Sequence, residues 1–275
     1  MRQSSHPWII TGMVSLLATI SLAACQNKTI SENKEASEAG SQAIPVTAGQ
    51  PVSLEVTSGV GDVTIRAGQS GDQILVQYTK IAYGKTDAEA RSELAAMTLS
   101  IERSGNGAVI NSVQTANTHH PRMNQVNLDI TVPAELSLKV TQSVGSVQID
   151  GVRVPVPLEV INSVGEVALN NVQALDGMTL HVDTGNVTFS GALGDRASYA
   201  VTVATGNITV SLPKDSSARM DASATTGEIS LTGLVLSGQS QQKSVVGMKL
   251  SGILGAGGPT LRLSAAVGNI QIQAQ

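Results

Sequence analysis

Along most of the chain, apolar and polar residues alternate two by two, and the alternation restarts after a glycine. "GSVQI" at Gly145, "GEVAL" at Gly165, "GNVTF" at Gly185, "GNITV" at Gly206, "GEISL" at Gly227 and "GNIQI" at Gly268 share one pattern, with an earlier copy, "GDVTI", at Gly61. A period of two marks a β-strand with one buried face. It predicts Val147/Ile149, Val167/Leu169, Val187/Phe189, Ile208/Val210, Ile229/Leu231 and Ile270/Ile272 inside, with Gln148, Ala168, Thr188, Thr209, Ser230 and Gln271 outside. A second strand precedes each glycine, its inward pairs being Leu138/Val140, Leu158/Val160, Leu180/Val182, Val201/Val203 and Leu261/Leu263.

From Gly145 the glycines are 20, 20, 21, 21 and 41 residues apart. The last interval covers two units, with Gly247 between them, where Met248 and Leu250 arrive one residue early. Gly61 precedes Gly145 by 84 residues, which is four units of 21. Such spacing marks a solenoid or array. One unit cannot bury its own apolar face, but stacked units can, at about 1.5–3 kcal/mol per buried side chain before ordering costs. The expected fold is all-β: a parallel β-solenoid (a single-stranded β-helix) whose consecutive coils lie in register. Seven coils about 4.8 Å apart give a rod roughly 30 Å long. Glycine supplies the backbone freedom of each corner, and Asp, Asn or Glu after it suits the same turn.

The N-terminal part departs from this beat. "TDAEARSELAAM" (86–97) offers a Thr or Asp cap, early Glu and good helix formers, and predicts a short helix. "TLSIER-SGNG-AVINSV" predicts a hairpin turning at Ser104 to Gly107, "TANTHHPRMN" a loop, and "NQVNLDITVP" a strand ending at Pro133. Helix and hairpin are inserted where they can cap the first coil. The resulting domains are a signal (1–24), a flexible tether (25–44), an N-terminal β region with the helix (45–135) and the β-strand-repeat solenoid (136–275). The tether's Ser, Asn, Glu and Lys give it too little apolar surface to order itself.

Composition narrows the function classes. Aromatic residues are 2% and charged residues 14% of the 275, so the core has to be aliphatic. The formal charge is −4 without a basic tract, which argues against a nucleic-acid partner. One cysteine excludes an intramolecular disulfide and a zinc site of several thiolates. With five aromatic residues in all, the stacking platforms of a typical sugar-binding cleft are missing.

That cysteine has an address. "MRQSSHPWIITGMVSLLATISLAA" carries Arg2, then a largely apolar stretch, and reads as a secretory signal. Its end, Leu22-Ala23-Ala24-Cys25, resembles the bacterial lipobox. The resemblance implies cleavage before Cys25, a diacylglyceryl group on its thiol and further acylation, palmitate among the chains. Two or three acyl chains give stable membrane attachment. Gln26 stands where an Asp would imply inner-membrane retention, so the implied location is extracytoplasmic, at the outer membrane in a Gram-negative cell.

"VSLEVTSGVGDVTIRAGQSGDQILVQYTK", "DAEARSELAAM", "LDITVPAELSLKVTQSVGSVQIDGV" and the later "TGNVTF", "TGNITV" and "TTGEIS" units carry a further resemblance, from about Pro51 to Gln275. The chain resembles a bacterial extracytoplasmic β-strand-repeat family of unknown function whose members are labelled adhesins. The resemblance implies a β-helix-like fold, an envelope location, no enzymatic activity, no cofactor, and a part in adhesion or envelope stress.

Candidate chemistry is sparse. His119 and His120 are adjacent in a polar loop and diverge, as neighbours do. His181 and Asp183 share one strand face, where they could handle a proton or a metal, yet no nucleophile is specified beside them. "SGILGAGGPT" is Gly-rich, but a strand rather than a helix follows, which disfavours a phosphate cradle. The period does not match calcium-binding β-rolls. Thr188, Thr209 and Ser230 form one outward column, too narrow for an ice-binding face. The chain stops at "NIQIQAQ", which predicts an uncapped last coil whose open edge could pair with another copy. The sequence therefore points to a lipid-anchored, non-catalytic scaffold or adhesin-like surface for an envelope protein, polysaccharide or lipid. The alternative is an accessory of envelope-stress sensing that binds lipid, peptide or a membrane protein; an enzyme acting on wall polymer comes third.

Overall fold

The computed structural model describes residues 34–69, 71–113, 123–195 and 197–275. Strands β1 (Lys34–Pro45), β2 (Ser53–Val60), β3 (Val63–Ala67) and β4 (Gln73–Gly84) precede helix α1 (Asp87–Ala96). Then come β5 (Thr98–Arg103), β6 (Gly107–Val113), β7 (Gln125–Val132), β8 (Ser137–Val144), β9 (Val147–Asp150) and β10 (Arg153–Val154). The repeat continues through β11 (Leu158–Val164), β12 (Val167–Ala174), β13 (Met178–Thr184), β14 (Val187–Leu193), β15 (Ser198–Thr205) and β16 (Ile208–Leu212). The last six are β17 (Ala218–Thr226), β18 (Ile229–Thr232), β19 (Leu236–Lys243), β20 (Met248–Leu254), β21 (Thr260–Val267) and β22 (Ile270–Ala274).

These strands form two sheets of 11, and the chain crosses from one to the other at every corner glycine. The first sheet runs β1-β4-β7-β3-β9-β12-β14-β16-β22-β18, with β10 beside β12. The second runs β19-β20-β17-β21-β15-β13-β11-β8-β2-β6-β5. Each coil thus gives one strand to each sheet, and coil-to-coil pairing is parallel throughout, from β2–β8 and β3–β9 to β17–β21 and β18–β22. The fold is all-β and solenoid-like, with one short helix.

The predicted columns exist. In the first sheet Val63, Val147, Val167, Val187, Ile208, Ile270 and Ile229 pair in that order, and all are buried. In the second, Val56, Val140, Val160, Leu180, Val201, Leu263 and Ala222 do the same. Both columns belong to one hydrophobic core that extends from Ile44 to Ile272 within a single compact unit, Asn33–Gln275. The core is self-contained.

At the corners, backbone stacks on backbone. Gly145, Gly165, Gly185 and Gly206 have φ of +134, +136, +149 and +141°. A Cβ on any of them would collide with the carbonyl oxygen of the corner glycine one coil earlier: Gly61, Gly145, Gly165 and Gly185 respectively. Glycine is thus required both for its dihedral angle and for its missing side chain. The residue after the glycine knits the corners together. Asn186, Asn207 and Asn269 each accept, through Oδ1, the backbone N–H of Asn207, Asn269 and Glu228 at 2.9–3.0 Å. At the other end Asn127 and Asp62 do so for Asp62 and Ser146 at 2.9 Å. Inside the early coils, Gln142 Nε2 donates to the carbonyl of Gly61 at 2.6 Å and Asn162 Nδ2 to that of Gly145 at 3.1 Å.

Four expectations are corrected. Coils do not stack strictly in sequence order, because β21 and β22 lie between β15/β16 and β17/β18. The C-terminal strand is consequently an inner strand and not an open edge. Gly61 is one rung from Gly145, not four, since the residues between them do not come between β2/β3 and β8/β9: β6 and β7 pair on the far side of β2 and β3, and β4, α1 and β5 lie beyond them. The unit sought at Gly247 is no coil: Met248–Leu254 runs antiparallel to β17, without a corner crossing to the other sheet. Finally, the tether expected over 25–44 includes most of a strand: β1 pairs with β4 across twelve residues in antiparallel register. Its alternation is too polar to read as a strand, and long-range backbone pairing overrides the composition.

The inserted elements sit where a cap is needed. The hairpin β5/β6 extends the second sheet beyond β2, and β7, β4 and β1 extend the first beyond β3. Thr86 caps α1 by accepting the N–H of Glu89 at 3.2 Å, while Glu89 Oε2 accepts that of Lys85 at 2.8 Å.

Candidate functional site

The outer face of the first sheet is the most regular surface. Thr64, Gln148, Ala168, Thr188, Thr209, Gln271 and Ser230 form one column across the seven coils, none of them buried. Beside it run Arg66, Asp150, Asn170, Ser190, Ser211, Gln273 and Thr232. Many of these side chains satisfy one another. Asp150 accepts from Gln148 at 2.7 Å and Asn170 at 2.8 Å, Gln273 donates to Ser211 Oγ at 3.0 Å, and Arg66 meets Asp129 at 3.1 Å. Most side chains of the two columns are short and neutral, and the parallel ladder holds them at fixed intervals. Such a face can present hydrogen-bonding groups to an extended partner, but holds no charge cluster beyond Arg66, Asp129 and Asp150.

The residues singled out from the sequence fare differently. Cys25, His119 and His120 lie outside the described residues. His181 Nε2 and Asp183 Oδ1 are 3.1 Å apart on the outer face of β13, both well exposed. Ile161 and Thr202 flank His181 across the ladder, so neither ladder neighbour adds a carboxylate, imidazole or thiol to the pair. Among the described residues no group of three or more His, Cys, Asp or Glu is placed to hold a metal. The Gly-rich stretch is the end of β20 followed by a turn, with Gly255, Gly257 and Gly258 at φ +57, +79 and +118°. No described helix is long and apolar enough to cross a membrane.

One buried polar residue escaped the pattern. Tyr199 is fully buried in the inward column between Met178 and Leu261, and its hydroxyl donates to the Ala174 carbonyl while accepting the Gly194 N–H. Only its place in the apolar beat signals it. Burial pushes its hydroxyl above the usual phenol value, against the Gly194 N–H bond and with help from Asp176 and Asp195. Below about pH 9 the phenol is neutral both folded and unfolded, so it gives stability no pH dependence there. Above that, the unfolded chain ionises first and stability falls as pH rises towards the folded value. Tyr199→Phe should cost about 1–3 kcal/mol at neutral pH, by stranding Gly194 N–H and the Ala174 carbonyl. The variant should also show a shallower loss of stability between pH 9 and 11, measured by urea unfolding at each pH. An unchanged alkaline slope would refute the assignment.

Stacked coils, glycine corners and a self-satisfied polar outer face define the class: a solenoid-like parallel β protein. The chain belongs to the Toastrack DUF4097 family, whose sequence model matches residues 43–273. No curated protein matches the sequence. Among solved structures, a candidate cell adhesion protein from Clostridium sporogenes is 12% identical, covering 87% of this chain and 100% of its own, with a TM-score of 0.52. A candidate adhesin from Bacteroides fragilis is 10% identical over 86% of this chain and 97% of its own, with a TM-score of 0.33. A candidate lipid binding protein from Parabacteroides distasonis is 12% identical over 86% and 96%, with a TM-score of 0.35. Of the three, only the first reaches the similarity of a shared fold, and it speaks for the fold alone.

Proposed function

We propose that this protein is a lipid-anchored cell-envelope β-solenoid, a closed single-stranded β-helix, that works as a non-catalytic, adhesin-like binding surface. The observation that carries the reading is the outward column from Thr64 to Ser230, rigid because each of its strands is held on a buried aliphatic ladder. The adhesion label of the Clostridium sporogenes structure agrees with it. Acyl chains at Cys25 hold the molecule to the membrane, and the chain before β1 sets the reach: nine residues from Cys25 to Lys34 extend at most about 30 Å.

Two measurements test this. Cys25→Ser should abolish palmitate incorporation and move the protein from the membrane pellet to the soluble fraction; pelleting and labelling that survive the change would remove the anchor. Purified residues 33–275 should bind isolated envelopes, and T188K/T209K should weaken that binding roughly tenfold or more without altering unfolding. Undiminished binding by T188K/T209K would show that this face is not the one used.

A further inference from the structure

The C-terminal coil fills a slot between two coils that are neighbours in sequence. β21 pairs with β15 on one side and β17 on the other, and β22 with β16 and β18. Among the described residues, β17 pairs only with β20 and β21, β18 only with β22, and β19 only with β20. The whole distal end is therefore joined to the rest of the stack by the C-terminal strands and by the covalent link of residues 213–217. Yet Gly227 follows Gly206 by 21 residues, the same interval as between Gly185 and Gly206, which are stacked directly. The β17/β18 coil has the length to sit on β15/β16 itself. In the native arrangement the link spans two rungs, roughly 9.6 Å, and residues 260–275 lie in the gap.

We propose that this slot is an acceptor for a coil, filled in cis by residues 260–275 and in trans by the same residues of a second copy. Two features support exchange. The hinge before the donor, residues 255–259, contains three glycines in left-handed conformations. The donor's contacts are the same in either arrangement: Leu261, Leu263 and Ala265 join the inward column of one sheet, Ile270 and Ile272 that of the other, and Gln275 reaches Ser190 Oγ at 2.6 Å. A swapped dimer loses none of these contacts and gives up only the freedom of the second molecule. The order of synthesis favours it further, because β17/β18 emerges before the coil that must separate it from β15/β16. The slot is open or wrongly closed until residues 260–275 are made. The product is a reciprocal pair of stacks joined at their distal halves, which would set two binding faces on one particle.

The test uses residues 33–275, which carry their own core and omit Cys25. Thr209 and Gln271 are partners on adjacent strands, both turned outward. Chains bearing Thr209→Cys and chains bearing Gln271→Cys, with different tags, are unfolded, mixed, refolded and oxidised. Exchange predicts a disulfide-linked heterodimer carrying both tags, several-fold above that from the same two folded chains mixed and oxidised without unfolding. The doubly substituted T209C/Q271C chain should close its disulfide internally when refolded at high dilution. Internal closure in that chain with no heterodimer from the mixture overturns the proposal. A second readout is independent of disulfide geometry. Deleting Gly257 and Gly258 shortens the hinge, strains insertion in cis, and should raise the dimer-to-monomer ratio in sedimentation by roughly tenfold. An unchanged ratio in this folded variant likewise overturns it.

Discussion

Gly165→Ala is expected to cost about 4 kcal/mol or more of unfolding free energy, which for many domains is enough to abolish folding. The corner glycine is stacked directly on the Gly145 carbonyl, so an added Cβ would overlap backbone, with the Asn162 amide a further neighbour at 3.3 Å. Its φ of +136° adds the strain of a left-handed residue, of order 1–3 kcal/mol. Moving the corner outward to relieve the clash would break the N–H bond from Gly165 to the Thr184 carbonyl at 2.9 Å and lift the strands on both sides. Gly105 separates the two effects. It also has a positive φ, +58°, but nothing lies near its would-be Cβ at the tip of the β5/β6 hairpin. Gly105→Ala should therefore cost only about 1–2 kcal/mol. Urea unfolding of residues 33–275 measures both, and the stacking argument fails if the two costs are alike.

Phe189→Ala should be the most damaging core truncation, at about 3–5 kcal/mol. Phe189 is the chain's single phenylalanine, fully buried, and its ladder partners Leu169 and Val210 are smaller. The ladder on either side is fixed by backbone hydrogen bonds, so the stack cannot close over the void. Thr188→Ala, one residue away on the outer face, should stay within about 0.5 kcal/mol. Calorimetry on the two variants decides the point: comparable losses would mean that the period-two assignment of inside and outside is wrong here.

The sequence states the local rules of this fold almost completely. Alternation at Val147/Ile149 and its counterparts gave the inward residues, and the glycines gave the corners, because both are dictated within one coil by sterics and burial. Thr86 and Glu89 announced the helix start for the same reason. What could not be read is which coil lies on which. Ile270 fits between Ile208 and Ile229 as well as it would fit after Ile229, since every coil offers the same ladder to its neighbours. Interchangeability hides the order. β1 was hidden by its composition: Glu35, Glu38 and Ser41 look like a solvated linker, and only pairing with β4 makes Lys34–Pro45 a strand. The candidate face was legible as Thr188, Thr209 and Ser230, but its cross-links through Asp150, Gln148 and Asn170 depend on the distance between rungs. Tyr199 went unread, because its part as the tie between Ala174 and Gly194 depends on residues that lie elsewhere in the repeat.

The way both sheets finish has a bearing on solubility. A parallel ladder invites further copies to add on at its margins, as happens in cross-β fibrils. Among the described residues three of the four margins are occupied by antiparallel strands, β1, β5 and β19, and the fourth, β18, is just four residues long. β1 also carries Lys34, Glu35 and Glu38. An incoming coil meets charge, reversed hydrogen-bond polarity or too short a template, so the molecule keeps an amyloid-like interior while refusing amyloid-like growth.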